Sequence, residues 1–157
     1  MKYFDIRFGM YSIGESCSKL KYKPDIADRV MEVLAILARL SACVVAILLY
    51  IENGKLESRI WFDLILSLFL LFLLFTGAYA PANKIYYPVK ITKNNVVFQY
   101  KLVIRTIRLM NILLGIFFLL NILSYIYLWA MFGRLLLPFI MLLSISVYYV
   151  IAIIKRI

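Results

Sequence analysis

Histidine is absent from this chain, and cysteine occurs only twice, at Cys17 and Cys43. A zinc site is assembled from His and Cys ligands, so this composition argues against metal chemistry. Acidic residues number 8 against 18 Lys and Arg, and none of the carboxylates gather in the middle of an apolar run. That leaves general acid–base catalysis without a candidate pair. The 6 glycines are scattered and form no glycine-rich cradle of the kind that phosphoryl transfer uses. No enzyme activity and no cofactor are expected. Cys17 falls in the N-terminal arm and Cys43 in the first apolar run, which argues against a disulfide between them and for two free thiols that fill space.

Apolar residues make up 65% of the chain. They concentrate in four runs, at Val33–Ile51, Trp61–Ala80, Leu109–Trp129 and Leu135–Ile154. Each run approaches the roughly 20 residues that a helix needs to cross a hydrocarbon core about 30 Å thick. Inside that core only helices or closed barrels satisfy the backbone. The expected fold is an all-α membrane protein with four transmembrane helices at about 33–51, 61–80, 109–129 and 135–154. It comprises an N-terminal arm over 1–28 and a four-helix domain over 29–157, with a basic helical extension ahead of the third helix. A cleavable signal peptide is not expected, because Asp5, Arg7, Gly9, Gly14 and Glu15 interrupt the opening stretch.

The net charge of +10 does not point to nucleic acid. Its basic residues are short clusters beside the spans and match no nucleic-acid-binding motif. Lys2, Arg7, Lys19, Lys21, Lys23 and Arg29 precede the first span, and Lys84, Lys90, Lys93, Lys101, Arg105 and Arg108 lie between the second and third. Lys155 and Arg156 close the chain. The first connection carries Lys55 and Arg59 balanced by Glu52 and Glu57, and the third carries only Arg134. By the positive-inside rule both termini are cytoplasmic and the first and third loops face outward. Anionic headgroups of the cytoplasmic leaflet are the expected partner of the basic segments.

Asp25 reads as an N-cap, after which Ile26, Val30, Val33, Leu34 and Leu37 recur at helical spacing, so the first helix begins outside the bilayer. Arg39 lies well inside the apolar run. Two outcomes are open for it: snorkelling toward the inner interface, or pairing with Glu32 two turns away. Asp63, following Trp61 and Phe62, is expected to be interfacial and wet. Asn111 and Asn121 are the deeper polar candidates for contacts between helices, with Ser67, Ser124, Ser144 and Ser146. Small residues that would announce a close helix crossing are few, Gly77, Ala78, Ala80 and Gly115, which leaves dimerisation open.

Between the second and third spans the pattern supports two structures. Val89–Thr92 and Val96–Phe98 flank Lys93, Asn94 and Asn95 and could pair as a hairpin. Alternatively Thr92 caps a helix whose Lys101, Arg105 and Arg108 form a basic stripe, with Val97, Tyr100, Ile104 and Ile107 toward the membrane. With Lys93, this stripe is the candidate surface for lipid or protein contact.

The string YYPVKITKNNVVFQYKLVIRTIRLM resembles the loop after the second span in a family of small bacterial membrane proteins that carry an uncharacterised domain shared with SdpI-type immunity proteins. The similar features are Tyr87-Pro88, Thr92 as a cap, Gln99-Tyr100, and Arg105 with Arg108 entering the third span; DIADRVMEVL and the closing LLLPFIMLLSISVYYVIAIIK are also similar. The resemblance implies the helical form of 92–108, a place in the bacterial inner membrane, and, for some relatives, immunity against an envelope-active toxin. One departure is large. The Pro-rich, His-containing outer loop usual in that family is reduced here to Ile51–Arg59. Two functions from different classes follow. The first is a non-enzymatic protein acting by protein–protein contact, of the immunity or signalling-accessory type, with another membrane protein or a toxin as partner. The second is a subunit of a small oligomeric transporter or channel, in which Arg39, Asn111 and Asn121 would face a cavity.

Overall fold

The computed structural model describes residues 23–92 and 95–155. Among them there are four long helices and no strand: α1 (Ile26–Asn53), α2 (Ser58–Gly77), α3 (Val96–Leu123) and α4 (Leu128–Ile154). All four are long and apolar enough to cross a membrane. This is the architecture of a multi-pass membrane protein. The N-terminal arm with Cys17, and Lys93 and Arg156, lie outside the described residues.

Asp25 is the N-cap of α1, and its backbone N–H donates to Asp28 Oδ2 at 2.8 Å. That bond satisfies a donor at the helix start, where no earlier turn supplies a carbonyl. At the other end Gly54 adopts φ 68° and returns its N–H to the Tyr50 carbonyl at 2.9 Å. Only glycine takes this left-handed cap without a steric penalty. The loop to α2 is therefore short, and α2 runs back antiparallel. Residues 92–108, for which pattern alone left a hairpin open, are helical from Val96 onward. The cap is Asn95 and not Thr92: the Thr92 N–H donates to Asn95 Oδ1 at 2.8 Å, and the Thr92 carbonyl accepts the Val96 N–H at 3.1 Å. α4 starts seven residues before the expected span at Leu135, which moves Arg134 from a loop into the helix.

α3 is the hub, packed against each of the other helices, whereas α1 and α2 touch one another much less and α4 rests chiefly on α3. The buried residues of α1 are Asp28, Ala35, Arg39, Ala42, Ala46 and Leu49, and those of α3 include Ile104, Arg108, Asn111, Gly115, Phe118 and Ile122. From Ala35 and from Ile104 onward both sets alternate steps of four and three residues. This repeat of 3.5 keeps two helices in contact along their whole length. Alanine dominates the α1 side, so the backbones approach closely.

Two apolar clusters bracket this seam. At the end that holds the α1 N-terminus, here termed basal, Ala82, Tyr87, Val96, Tyr100, Val103 and Ile104 pack together. Tyr100 and Ile104, expected on the membrane side, are instead covered by the α2–α3 connection. The Tyr100 hydroxyl donates to the Ala80 carbonyl at 2.8 Å, and the Tyr87 hydroxyl to the Ala82 carbonyl at 3.2 Å. These bonds offset the cost of burying two phenols. Burial pushes the Tyr87 phenol well above its ordinary pKa. At the opposite, distal end Ala42, Ala46, Leu49, Ile60 and Ile122 join α1, α2 and α3. α4 buries only Ala130, Leu137 and Ala152, and its remaining surface is aliphatic and aromatic.

Candidate functional site

Polar groups inside the bundle fall at three levels along α3, and α3 contributes to each. At the basal level Lys101 Nζ meets Asp25 Oδ2 at 2.6 Å, Arg105 Nε meets Asp28 Oδ1 at 3.3 Å, and Arg108 Nε meets Glu32 Oε1 at 2.9 Å. The pairs are separated by 76, 77 and 76 positions. A constant offset means that α1 and α3 run parallel and in register. Arg105 also reaches Asp25 at 3.1 Å, and Arg108 Nη1 lies 3.7 Å from Asp28 Oδ1.

Three carboxylates thus face three cations, and the seam is neutral. Lys101 and Arg105 remain partly exposed, at 41% and 39% of their side chains, while Arg108 at 2% and Asp28 at 0% are sealed. The basic stripe therefore turns toward α1, and only its Lys101 and Arg105 end reaches the surface. Tyr79, just past α2, closes the cluster. Its hydroxyl donates to Glu32 at 2.9 Å, and its ring lies 5.4 Å from the Arg108 guanidinium carbon. Burial and the neighbouring Glu32 raise the Tyr79 phenol pKa, against the opposing pull of Arg108.

The middle level is built on Arg39, which is only 2% exposed. Neither sequence outcome holds for it. The side chain does not climb to the interface, and Glu32 is engaged by Arg108 and Tyr79. The guanidinium turns sideways instead. Nε donates to the Ser67 carbonyl at 3.2 Å, and Nη1 to the carbonyls of Ala35 at 3.0 Å and Asn111 at 2.9 Å. Nη2 donates to Asn111 Oδ1 at 2.8 Å. One side chain thereby ties α1 to α2 and α3. Gly115 makes room for it, since a Cβ there would lie 2.7 Å from Arg39 Nη1.

The distal level joins α2, α3 and α4. Asn121 Nδ2 donates to Asp63 Oδ2, and Arg134 Nη1 donates to Asn121 Oδ1 at 2.9 Å and to Ser124 Oγ at 3.5 Å. Asp63, expected to be wet, is only 7% exposed. Asn121 of α3 meets it directly, and α4 begins early enough to bring Arg134 onto the same amide. The amide of Asn121 accepts from the guanidinium through its oxygen and donates to the carboxylate through its nitrogen at once.

Of the intramembrane candidates, Asn111 meets Arg39, while Asn121 lies ten positions further along α3, about 15 Å away at 1.5 Å per residue. They serve separate ties and do not converge on one centre. Ser144 and Ser146 donate to carbonyls one turn back in α4 and link no helices. Sequence reading missed the contacts between helices made by Asp25, Asp28, Gly115 and Arg134, although it placed Asp25 as the N-cap. The matched spacing of Asp25, Asp28 and Glu32 with Lys101, Arg105 and Arg108 was the usable signal for the first two. Among the described residues no group of acidic, His or Cys side chains could hold a metal ion. No protein-family model, curated protein or solved structure matches this chain.

Proposed function

We propose that this chain is a non-enzymatic protein of the bacterial inner membrane that acts by lateral contact with another membrane protein or a membrane-active toxin. In this reading both termini are cytoplasmic, as the distribution of Lys and Arg favours. The observation that carries it is the division of labour in the bundle. Arg39, Asp63, Asn111, Asn121 and Arg134 are bonded to one another or to backbone carbonyls, whereas α4 offers Leu135, Phe139, Leu142 and Leu143 outward. A protein whose polar groups are engaged internally and whose peripheral helix is apolar is suited to association in the bilayer.

Crosslinking in native membranes through the exposed amines of Lys84, Lys90 and Lys101, followed by mass spectrometry, tests this. One reproducible protein partner is expected, and its capture should be lost in the double substitution Phe139→Ala, Leu143→Ala at unchanged protein level. Recovery of self-crosslinks and lipid alone overturns it. The transport reading draws on Arg39, whose hydrogen-bond acceptors are all neutral oxygens. It requires ion or solute flux in reconstituted vesicles that Asn111→Ala abolishes without unfolding the protein.

A further inference from the structure

The topology brings four segments to the basal end: the start of α1, the connection that follows α2, the start of α3, and the end of α4, which Gln99 of α3 holds through the Ala152 carbonyl at 3.0 Å. The carboxylates of this end, Asp25, Asp28 and Glu32, are taken by Lys101, Arg105 and Arg108 in the seam. Lys23, Arg29, Lys84, Lys90 and Lys155 are left over, all exposed and none in an ion pair with a described residue. No described carboxylate remains at this end to offset them. The distal end differs, since Lys55, Arg59 and Arg134 are matched in number by Glu52, Glu57 and Asp63. Depth follows from helix length. With 20 residues α2 is about 30 Å long and just crosses the hydrocarbon core, so the connection beyond Gly77 lies at headgroup level. Lys84 and Lys90 stand in that connection, which the Tyr100 hydroxyl and the Asn95 amide pin to α3 through the carbonyls of Ala80 and Lys90. With 28 residues α1 is about 12 Å longer than α2. A short loop joins the two at the distal end, so the surplus, with Arg29, projects at the basal one.

We infer that the basal end is a docking surface for anionic phospholipid headgroups, and that these five exposed cations, Lys84 and Lys90 foremost, make the contact in place of the basic stripe of α3. Charge complementarity selects the headgroup. Cations with no carboxylate left beside them favour a phosphate of net negative charge over a zwitterion. Apolar neighbours select a membrane over a soluble polyanion. Ile26, Tyr86 and Val97 are 84%, 66% and 61% exposed at the same end, and the boundary between headgroups and acyl chains covers such side chains where water would leave them bare. This surface goes beyond the lateral-contact reading. It involves no partner protein and needs only that the helices span a bilayer, so either reading can fail alone.

The test reconstitutes the full-length protein into phosphatidylcholine vesicles with a small fraction of spin-labelled phospholipid that carries a glycerol or a choline headgroup. Electron paramagnetic resonance then reads how much of each label the protein immobilises. At low salt the anionic glycerol lipid should associate about fivefold more strongly than the choline lipid, the effect of one Lys or Arg near an anionic headgroup. Added salt should shrink this preference. Lys84→Gln, Lys90→Gln, at exposed positions that spare the fold, should cut it about twofold or more. Asp25→Asn, Lys101→Gln, which removes an ion pair of the seam at constant net charge, should leave it intact. Equal association of the two labels overturns the inference, as does a preference that survives Lys84→Gln, Lys90→Gln unchanged or is lost in Asp25→Asn, Lys101→Gln. Displacement of the glycerol lipid by a single-stranded oligonucleotide at matched ionic strength would assign the surface to a soluble polyanion and overturns it too.

Discussion

Gly115→Ala is the smallest change that interrogates the middle of the bundle. A methyl group there would lie 2.7 Å from Arg39 Nη1, 3.0 Å from Ala38 Cβ and 3.4 Å from the Ala35 carbonyl. A flexible side chain would step aside at little cost. Arg39 cannot, because four hydrogen bonds to Ala35, Ser67 and Asn111 fix its guanidinium plane. Either the guanidinium gives up a bond or the α1 and α3 backbones separate. Overpacking of this kind costs about 1–3 kcal/mol, and a lost interhelical hydrogen bond in a membrane adds about 0.6 kcal/mol. The expected destabilisation is therefore about 2–3 kcal/mol. It is measured by reversible unfolding in mixed detergent–lipid micelles, followed by circular dichroism. The decisive comparison is the same change in an Arg39→Met background, where a flexible thioether replaces the pinned fork. There the alanine should cost less by at least about 1 kcal/mol, as expected for residues in direct contact. Equal cost in both backgrounds, or no cost in either, would refute the view that Arg39 is locked against Gly115.

Asn121→Leu should destabilise by about 1–3 kcal/mol, because it leaves buried Asp63 without its donor; Asp63→Asn in the same background should recover part of the loss in the same unfolding assay. Along the basal seam the cost should grow with burial. Lys101→Ala removes a half-exposed pair and is expected to change stability by less than about 1 kcal/mol. Asp28→Ala removes a sealed carboxylate that pairs with Arg105 and accepts from the Asp25 N–H, while Arg108 keeps Glu32, and is expected to cost about 1–3 kcal/mol. The Tyr79 phenol has a raised pKa in the folded state, so its protonated form favours folding. That contribution is fully present below the ordinary tyrosine pKa near 10 and is lost as pH rises through the higher folded value. The stability difference between the wild-type protein and Tyr79→Phe, followed from pH 8 to pH 11.5, should shrink with rising pH; a constant difference would show that Tyr79 does not titrate against Glu32.

The spans were legible because hydropathy reports them directly, and Asp25 was legible because a cap has a local chemical signature. Residues whose partners are remote in the chain were not. Arg39 looked like a snorkelling side chain as long as only α1 was considered, since its acceptors lie 28 and 72 positions away. Two of those three remote bonds go to backbone carbonyls, which carry no sequence identity at all. Asp63 looked wet because Trp61 and Phe62 precede it; it meets Asn121 of α3, 58 positions on, whose amide is held in turn by Arg134, and the helix that carries Arg134 begins before the apolar run becomes continuous. The α4 start was misjudged because Leu128–Arg134 contains Gly133 and a charge, both of which read as loop. Gly133 is there for another reason: it rests against Leu120 of α3, where a Cβ would approach to 3.0 Å.

Two parallel helices lined with alanine and leucine have no strong reason to prefer one register, since lipid and side chain are equally apolar. The polar levels supply that reason. In the observed register Arg39 lies opposite Gly115, 76 positions on, the same offset that pairs Asp25 with Lys101 and Glu32 with Arg108. Sliding α1 by one heptad toward the basal end would set Arg39 against Arg108, two cations in a sealed seam. Sliding it the other way would set Arg39 against Ile122, away from Asn111 and with bulk where the glycine had been. This second slip also draws Asp28 opposite Asn111 and Glu32 opposite Gly115, away from their cations, and an unpaired ion at that depth costs several kcal/mol. The apolar seam therefore tolerates many alignments, and the buried charges reject all but one. Such groups weaken the bundle relative to an ideal apolar core and are retained because they specify a single arrangement. Under the lateral-contact function proposed above, a fixed register would determine which side chains of α2 and α4 a partner meets.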